Sequence, residues 1–159
     1  MLYDCSKVRR QDRLLDESRA LELLQQADYG FLALATSEGG YGVPLNFVLS
    51  GSTIYFHSAP EGRKLRFAEE DCRATFCVVG ATQIVSKEFT TEYESVLAKG
   101  RLRMVEDGDE RTEALRGLVA KYSPQYATEG DAAIARSAHR TAVVALDCES
   151  FSGKCKRVK

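Results

Sequence analysis

The sequence predicts a mainly β protein: a partly closed antiparallel barrel of about six strands with helices packed outside it. Three observations carry this. Six strand-sized apolar or alternating runs are spread along the chain. The first three are joined by turns too short for a parallel crossover. No Gly-x-Gly-x-x-Gly follows the first of them, which disfavours a Rossmann unit.

Taken in order, Asp16 is placed to cap a helix in which Ala20, Leu23, Leu24 and Ala27 recur at i, i+3, i+4 and i+7, so that helix lies on a core. Residues 29–36 form an apolar first strand, and Ser37-Glu38-Gly39-Gly40 has the composition of a hairpin turn. In the second strand Val43, Leu45, Phe47 and Leu49 alternate with Pro44, Asn46 and Val48, which puts Asn46 on the face opposite the first set. After Ser50-Gly51-Ser52, a third strand over 53–58 turns Ile54 and Phe56 to one side and Tyr55 and His57 to the other. Ala59-Pro60-Glu61-Gly62 then leads into a short helix over 63–70 that packs through Leu65, Ala68 and Phe67.

Strands resume over 74–79 and 95–105. In the longer one Val96, Ala98, Leu102 and Met104 line one face, and Lys99, Arg101 and Arg103 a wet one. Asp109 can cap a helix carrying Leu115, Leu118, Val119 and Tyr122, which stops before Ser123-Pro124. A looser helical stretch over 131–137 precedes the last strand, 141–148, and a basic tail of Lys154, Lys156, Arg157 and Lys159.

Composition bounds the function. A chain of 159 residues and 17.6 kDa suits one domain, 1–159, and its 44% hydrophobic and 28% charged residues are those of a folding, globular protein. A formal net charge of -1 gives no reason to expect nucleic acid or an anionic membrane as partner, so any anion site must be local. The polar start lacks a secretory apolar core and no run is long enough to span a bilayer, so a cytoplasmic protein is expected. Five cysteines, odd in number and without a Cys-x-x-Cys pair, argue against a disulfide framework or a zinc site.

The stretch from Ile54 to Leu65, strand then loop then helix start, carries the most chemistry. Free N–H groups at the helix start, the Ser58 hydroxyl and the cations of Arg63 and Lys64 can converge on a dianionic phosphate. The same residues could equally start a turn and decorate a solvated helix end, and spacing does not decide between the two.

Four ordered blocks add a resemblance. Val43-Pro44-Leu45-Asn46-Phe47, Tyr55-Phe56-His57-Ser58 with Gly62-Arg63-Lys64, Phe89-Thr90-Thr91-Glu92-Tyr93-Glu94-Ser95, and Ser152-Gly153-Lys154 are similar to the successive blocks of the nitroimidazole-resistance (Nim) branch of the pyridoxamine-phosphate-oxidase-like flavoproteins, over about residues 9–156. The resemblance implies a six-stranded antiparallel split β-barrel and a homodimer with a flavin mononucleotide (FMN), rather than FAD or haem, at each of two interface sites. By the same resemblance Pro44, Leu45 and Asn46 run beside the isoalloxazine ring, with His57 and Ser58 at the end of the neighbouring strand. Arg63 and Lys64 hold the phosphate, and Thr90, Tyr93, Glu94 and Ser95 reach in from the partner subunit. Taken alone, residues 89–95 read as a surface loop, aromatic, polar and poor as a strand.

His57 is the candidate catalytic residue, because a neutral imidazole can give or take a proton as charge builds on a substrate being reduced. Its alternative is a histidine hydrogen-bonded in the barrel wall. The implied activity is an FMN-dependent reduction of small nitroaromatic or similar electron-poor compounds. The tail Gly153-Lys154-Cys155-Lys156-Arg157 lacks the Arg-x-His of true pyridoxamine-phosphate oxidases, which argues against vitamin oxidation. Two rivals remain: a non-catalytic flavin or haem carrier, with His57 or His139 as axial ligand in the haem case, and a redox sensor at Cys72 or Cys77, both of which read more simply as core thiols.

Overall fold

Alternation of apolar side chains builds one twisted sheet, and the computed structural model describes it over residues 1–37, 39–70, 72–137 and 140–158. The strands are β1 (Leu2–Tyr3), β2 (Gly30–Thr36), β3 (Gly39–Leu45), β4 (Val48–Ser50), β5 (Thr53–Ser58), β6 (Arg73–Val85), β7 (Thr90–Met104) and β8 (Ala142–Lys156). Helices α1 (Glu17–Gln26), α2 (Arg63–Glu69), α3 (Asp109–Tyr122) and α4 (Ala127–Ser137) pack around it. The strand order is β3-β2-β6-β7-β8-β5-β4, antiparallel throughout, with the short β1 added parallel to β8.

The sheet has eight strands rather than the six expected, for two physical reasons. The N-terminal pair Leu2–Tyr3 is too short to carry a periodicity, yet it docks beside β8 where β5 has ended. The expected second strand is divided at Asn46-Phe47 into β3 and β4. Those two halves lie at opposite ends of the strand order, so the sheet is open by hydrogen bonding while its two edges are joined by two residues of chain. The alternation survives the break because Phe47 still points inward and is fully buried.

Three other expectations change. Residues 90–95 are strand, not loop: they pair with β6 on one side and with Tyr93↔Lys156 to Ser95↔Lys154 of β8 on the other. The basic tail is therefore the continuation of β8. Helix α3 is preceded by Gly108 at φ 150, a backbone position that favours glycine, and Asp109 is its first residue rather than its cap. The looser helix begins at Ala127, four residues earlier than its sequence pattern shows. Glu38 of the first hairpin and His139 lie outside the described residues.

Two cores sit on the two faces of β5 and β8. Inside the barrel, Phe47, Phe56 and Phe76 meet at ring-centroid distances of 4.7 and 5.1 Å, among Leu24, Leu32, Ile54 and Leu146. Outside it, Val143 and Ala145 of β8 pack with Leu115 and Leu118 of α3, alongside Tyr55, Tyr122 and Ile134. Burial on both faces explains the unbroken apolar run 142–146.

The tightest backbone approach is at the β7–β8 register shift beside Gly100. A Cβ there would lie 1.9 Å from the carbonyl oxygen of Asp147. Gly100→Ala should lower stability by about 1–3 kcal/mol, read as a lower denaturation midpoint at unchanged slope.

Candidate functional site

At the break between β3 and β4, a non-helical turn must satisfy its own peptide groups. Tyr122, in the last turn of α3, does this: its hydroxyl accepts the Phe47 N–H at 2.9 Å and has two carbonyl acceptors, Asp28 at 2.6 Å and Phe47 at 2.9 Å. The Asn46 amide donates to the same Asp28 carbonyl at 2.9 Å. One hydroxyl thus ties α3, the segment before β2 and the seam of the sheet together.

Next to that clamp a cleft of about 340 Å³ runs between β5 and the α3–α4 pair. Asn46 and His57 line it, facing Leu115, Leu118, Val119 and Ile134. His57 reaches it because β5 alternates: Ile54, Phe56 and Ser58 are turned into the barrel, whereas His57 is exposed on the outer face opposite Val143. His57 and Ser58 therefore point to opposite faces of one strand. The structure assembles an apolar cleft with one imidazole and one carboxamide at its mouth.

The residues expected around a phosphate form a second neighbourhood. Ser58 is 8% exposed at the end of β5, and among the described residues its hydroxyl makes no hydrogen bond. Gly62, at φ 137, turns the chain into α2. The Arg63 guanidinium stacks on Tyr41 of β3, 5.1 Å from the ring centroid. Lys64 is half-buried, burial pushes its pKa below the usual lysine value, and it has no acceptor among the described residues. At seven residues α2 is two turns long, so side chains rather than a helix terminus carry the charge. Pro44 is exposed on the outer face opposite Phe31, and Leu45 is half-buried.

The expected residues of β7 lie elsewhere. Ser58 pairs with Ala142 and Ser95 with Lys154, so the two groups sit twelve residues apart along β8, a strand path of about 40 Å. Within one chain they are not brought together. Thr90 accepts a hydrogen bond from the Lys156 ammonium. Tyr93 pairs with Thr82 and Lys156. Glu94 is 4% exposed and turned inward, its carboxylate held by Arg19 at 2.9 Å and by Arg157. Those hydrogen bonds, led by Arg19, keep its pKa below the ordinary glutamate value.

Sequence alone assigns no site role to Tyr122, Asp28, Arg19 or Arg157. Tyr122 was legible as a core position of its helix but not as a clamp, because its partners are 75 and 94 residues away. Among the described residues the cysteines form no disulfide, and burial raises the pKa of Cys77, one of the two sensor candidates, which disfavours the thiolate a redox sensor requires. His139, the alternative haem ligand, is outside the described residues. Among the described residues no helix is long and apolar enough to cross a membrane.

Tyr122→Phe should cost about 1–3 kcal/mol by leaving the Phe47 N–H without its acceptor, with the perturbed amide signals centred on residues 28 and 46–47. For Glu94 the sign follows from its lowered folded pKa. Its contribution is fully present above the unfolded value, about 4.3, and is lost as pH falls through the lower folded value. Glu94→Gln should therefore flatten the fall in denaturation midpoint between neutral and strongly acidic pH.

Solved structures share this fold. A candidate 5-nitroimidazole antibiotic resistance protein from Bacteroides thetaiotaomicron is 23% identical, with a TM-score of 0.71 over 90% of this chain and 86% of that one. The FAD and heme binding protein from Mycobacterium smegmatis is 21% identical, with a TM-score of 0.78 over 90% of this chain and 72% of its own. The flavocytochrome Anf3 from Azotobacter vinelandii is 20% identical, at 0.76 over 90% and 68%. No curated protein sequence matches. The sequence profile of the pyridoxamine 5'-phosphate oxidase family matches residues 16–155, and on that match the chain belongs to this family, with its split-barrel fold.

Proposed function

We propose that the chain is a homodimeric flavoprotein of the nitroimidazole-resistance type. In this reading it binds FMN at two interface sites and reduces small nitroaromatic or similar electron-poor compounds. The observation that carries the reading is Lys64: a half-buried cation whose pKa is depressed by burial, with no acceptor among the described residues, one residue from Arg63. A desolvated cation is offset best by an anion held against it, and a flavin phosphate is such an anion. The donor set therefore fits the group.

A bound flavin supplies electron transfer between a reductant and a small acceptor. The protein's part is to bind, orient and protonate. Arg63 and Lys64 hold the phosphate, with Ser58 at the strand end beside them. The apolar wall of Leu115, Leu118, Val119 and Ile134 limits water in the cleft. His57 at its mouth holds a proton at a ring nitrogen within reach of a substrate gaining negative charge.

The twelve-residue separation along β8 favours two copies. If Thr90, Tyr93 and Ser95 contribute to a site containing His57, they must come from a partner chain. Pro44, Phe31, Cys77 and Leu97 stand in one register row on the outer face of β3, β2, β6 and β7. Phe31 and Val79 are 47% and 57% exposed, and Phe89, at the tip of the β6–β7 hairpin, is 96% exposed. An apolar row of this kind is what an interface buries.

The test is an absorption spectrum of the purified protein before and after excess FMN, then anaerobic reduction and exposure to a nitroimidazole, with the mass in solution measured alongside. Paired flavin bands that bleach and return with the nitro compound, on a dimer, support the reading. A single intense Soret band points to a haem protein, and the absence of any chromophore after reconstitution removes the cofactor. Lys64→Ala should weaken FMN binding by about 1–3 kcal/mol. His57→Ala should leave binding intact and lower turnover; equal activity would leave His57 without a catalytic role.

A further inference from the structure

Where β7 and β8 pair on the outer face, the N-terminal segment lies over the sheet and encloses a cleft of about 250 Å³. The register sets its floor: Leu97 lies opposite Ser152 and Lys99 opposite Ser150, and Lys154 follows two residues on along the same face. The covering segment brings Lys7 and Arg9. It is tied to β8 at both ends, by Asp4 N–H to the Phe151 carbonyl at 2.9 Å and by Leu15 N–H to the Gly153 carbonyl at 3.2 Å. Between them, the Gln11 amide closes the turn onto the Cys5 and Val8 carbonyls at 3.0 and 2.6 Å.

Four cations therefore line one small cleft in a chain whose net charge is -1. Asp4 is the one carboxylate lining it, and its Oδ1 is already engaged by the Ser6 N–H at 2.9 Å and hydroxyl at 2.6 Å. Lys7, Arg9, Lys99 and Lys154 form no ion pair or hydrogen bond among the described residues. The Asp4 carboxylate offsets only part of this charge, chiefly that of Lys7 and Lys99; the remaining like charges repel, and a fixed anion relieves that repulsion. The serine hydroxyls of β8 add neutral donors, and Leu97 adds an apolar surface.

We infer that this cleft is a second anion site, built for the diphosphate group of a phosphorylated small molecule. Within one chain it uses none of the residues assigned to the flavin phosphate, and Lys154 is twelve residues along β8 from the partner of Ser58; whether the dimer brings the two sites together is read from competition with FMN. Four cations exceed what a single phosphate monoester needs and match two linked phosphates. Leu97 also belongs to the apolar row described above, which puts the cleft at the margin of the proposed dimer face.

The test is calorimetric titration of pyrophosphate, and separately of inorganic phosphate, into the purified protein in a phosphate-free buffer, with and without saturating FMN. Pyrophosphate should bind once per chain, more tightly than phosphate and equally well with FMN present. Lys99→Gln with Lys154→Gln should weaken it at least tenfold, and Lys7→Gln alone, in the covering segment, should weaken it in the same direction. Arg136→Gln with Arg140→Gln removes the same charge at exposed positions elsewhere and should leave the affinity unchanged. Absence of pyrophosphate binding, or an equal loss in the distant pair, overturns the inference. Displacement by FMN would also overturn it, by making the cleft part of the flavin's own site. Should FMN fail to bind at all, the pyrophosphate titration still decides.

Discussion

The Tyr122 hydroxyl holds the point on which the sheet's closure depends. Strands β3 and β4 are the two free edges of the sheet, and among the described residues no ladder joins them. What joins them is the chain through Asn46 and Phe47, a turn whose peptide groups would otherwise compete for water at a buried position. By accepting from Phe47 N–H and offering its proton to the Asp28 and Phe47 carbonyls, Tyr122 lets the turn enter the interior with Phe47 at its tip. Lys121, its neighbour, lies 3.8 Å from the centroid of the Phe47 ring on the same helix turn. Helix α3 is thus the clasp of the barrel as well as one wall of the His57 cleft, so the geometry of the cleft depends on closure of the sheet.

Strand β8 is the second constraint. It pairs with β7 along most of its length, with β5 over its first half and with β1 beyond. It is buried on both faces at its start and becomes polar where the sheet opens. The shift of register beside Gly100 absorbs one extra residue of β8 and allows the two long strands to bend together around the core. Past the bend, side chains that read as a basic tail become structural. Arg157 shares the Glu94 carboxylate with Arg19, so the residue after β8, the first third of β7 and helix α1 are joined by one buried charge. A buried carboxylate with two guanidinium partners is weak evidence for net stability, but removing both guanidinium groups would leave its charge uncompensated.

Much of this was legible in the sequence, and the parts that were not share a cause. The inward and outward sets of β5, the buried face of α1 at Ala20, Leu23 and Leu24, and the packing residues of α2 follow from local periodicity. Residues 43–49 kept that periodicity through a break, because the break is imposed by a tyrosine 75 residues away. Residues 90–95 lacked it, because the buried side of β7 there carries a glutamate whose charge is met by arginines from two distant elements. Long-range hydrogen bonds and ion pairs override local pattern at those places. For the site, the sequence brought out Asn46 and His57, and the alternation of β5 already set His57 and Ser58 on opposite faces, but it could not reveal that Asn46 and His57 share one cleft walled by α3 and α4. Nor did it bring out the four cations that meet over β7 and β8, since they come from three separate segments of the chain.

The division of chemistry along β8 bears on how such a protein would respond to its ligand. The proposed phosphate-holding residues lie near the start of the strand, and the β7 segment of the resemblance near its end, so a site using both is completed only by a second copy. Folding of each chain supplies the barrel and the cleft, association supplies the remaining wall, and a ligand bound between the two chains stabilises the assembled state in proportion to its concentration over its dissociation constant. The exposed apolar row and the projecting Phe89 are then surfaces kept available for association rather than failures of burial. The basic cleft, formed entirely within one chain and tied at both ends to β8, is free of that requirement, so an anion there could be bound by a monomer whose interface sites are still incomplete.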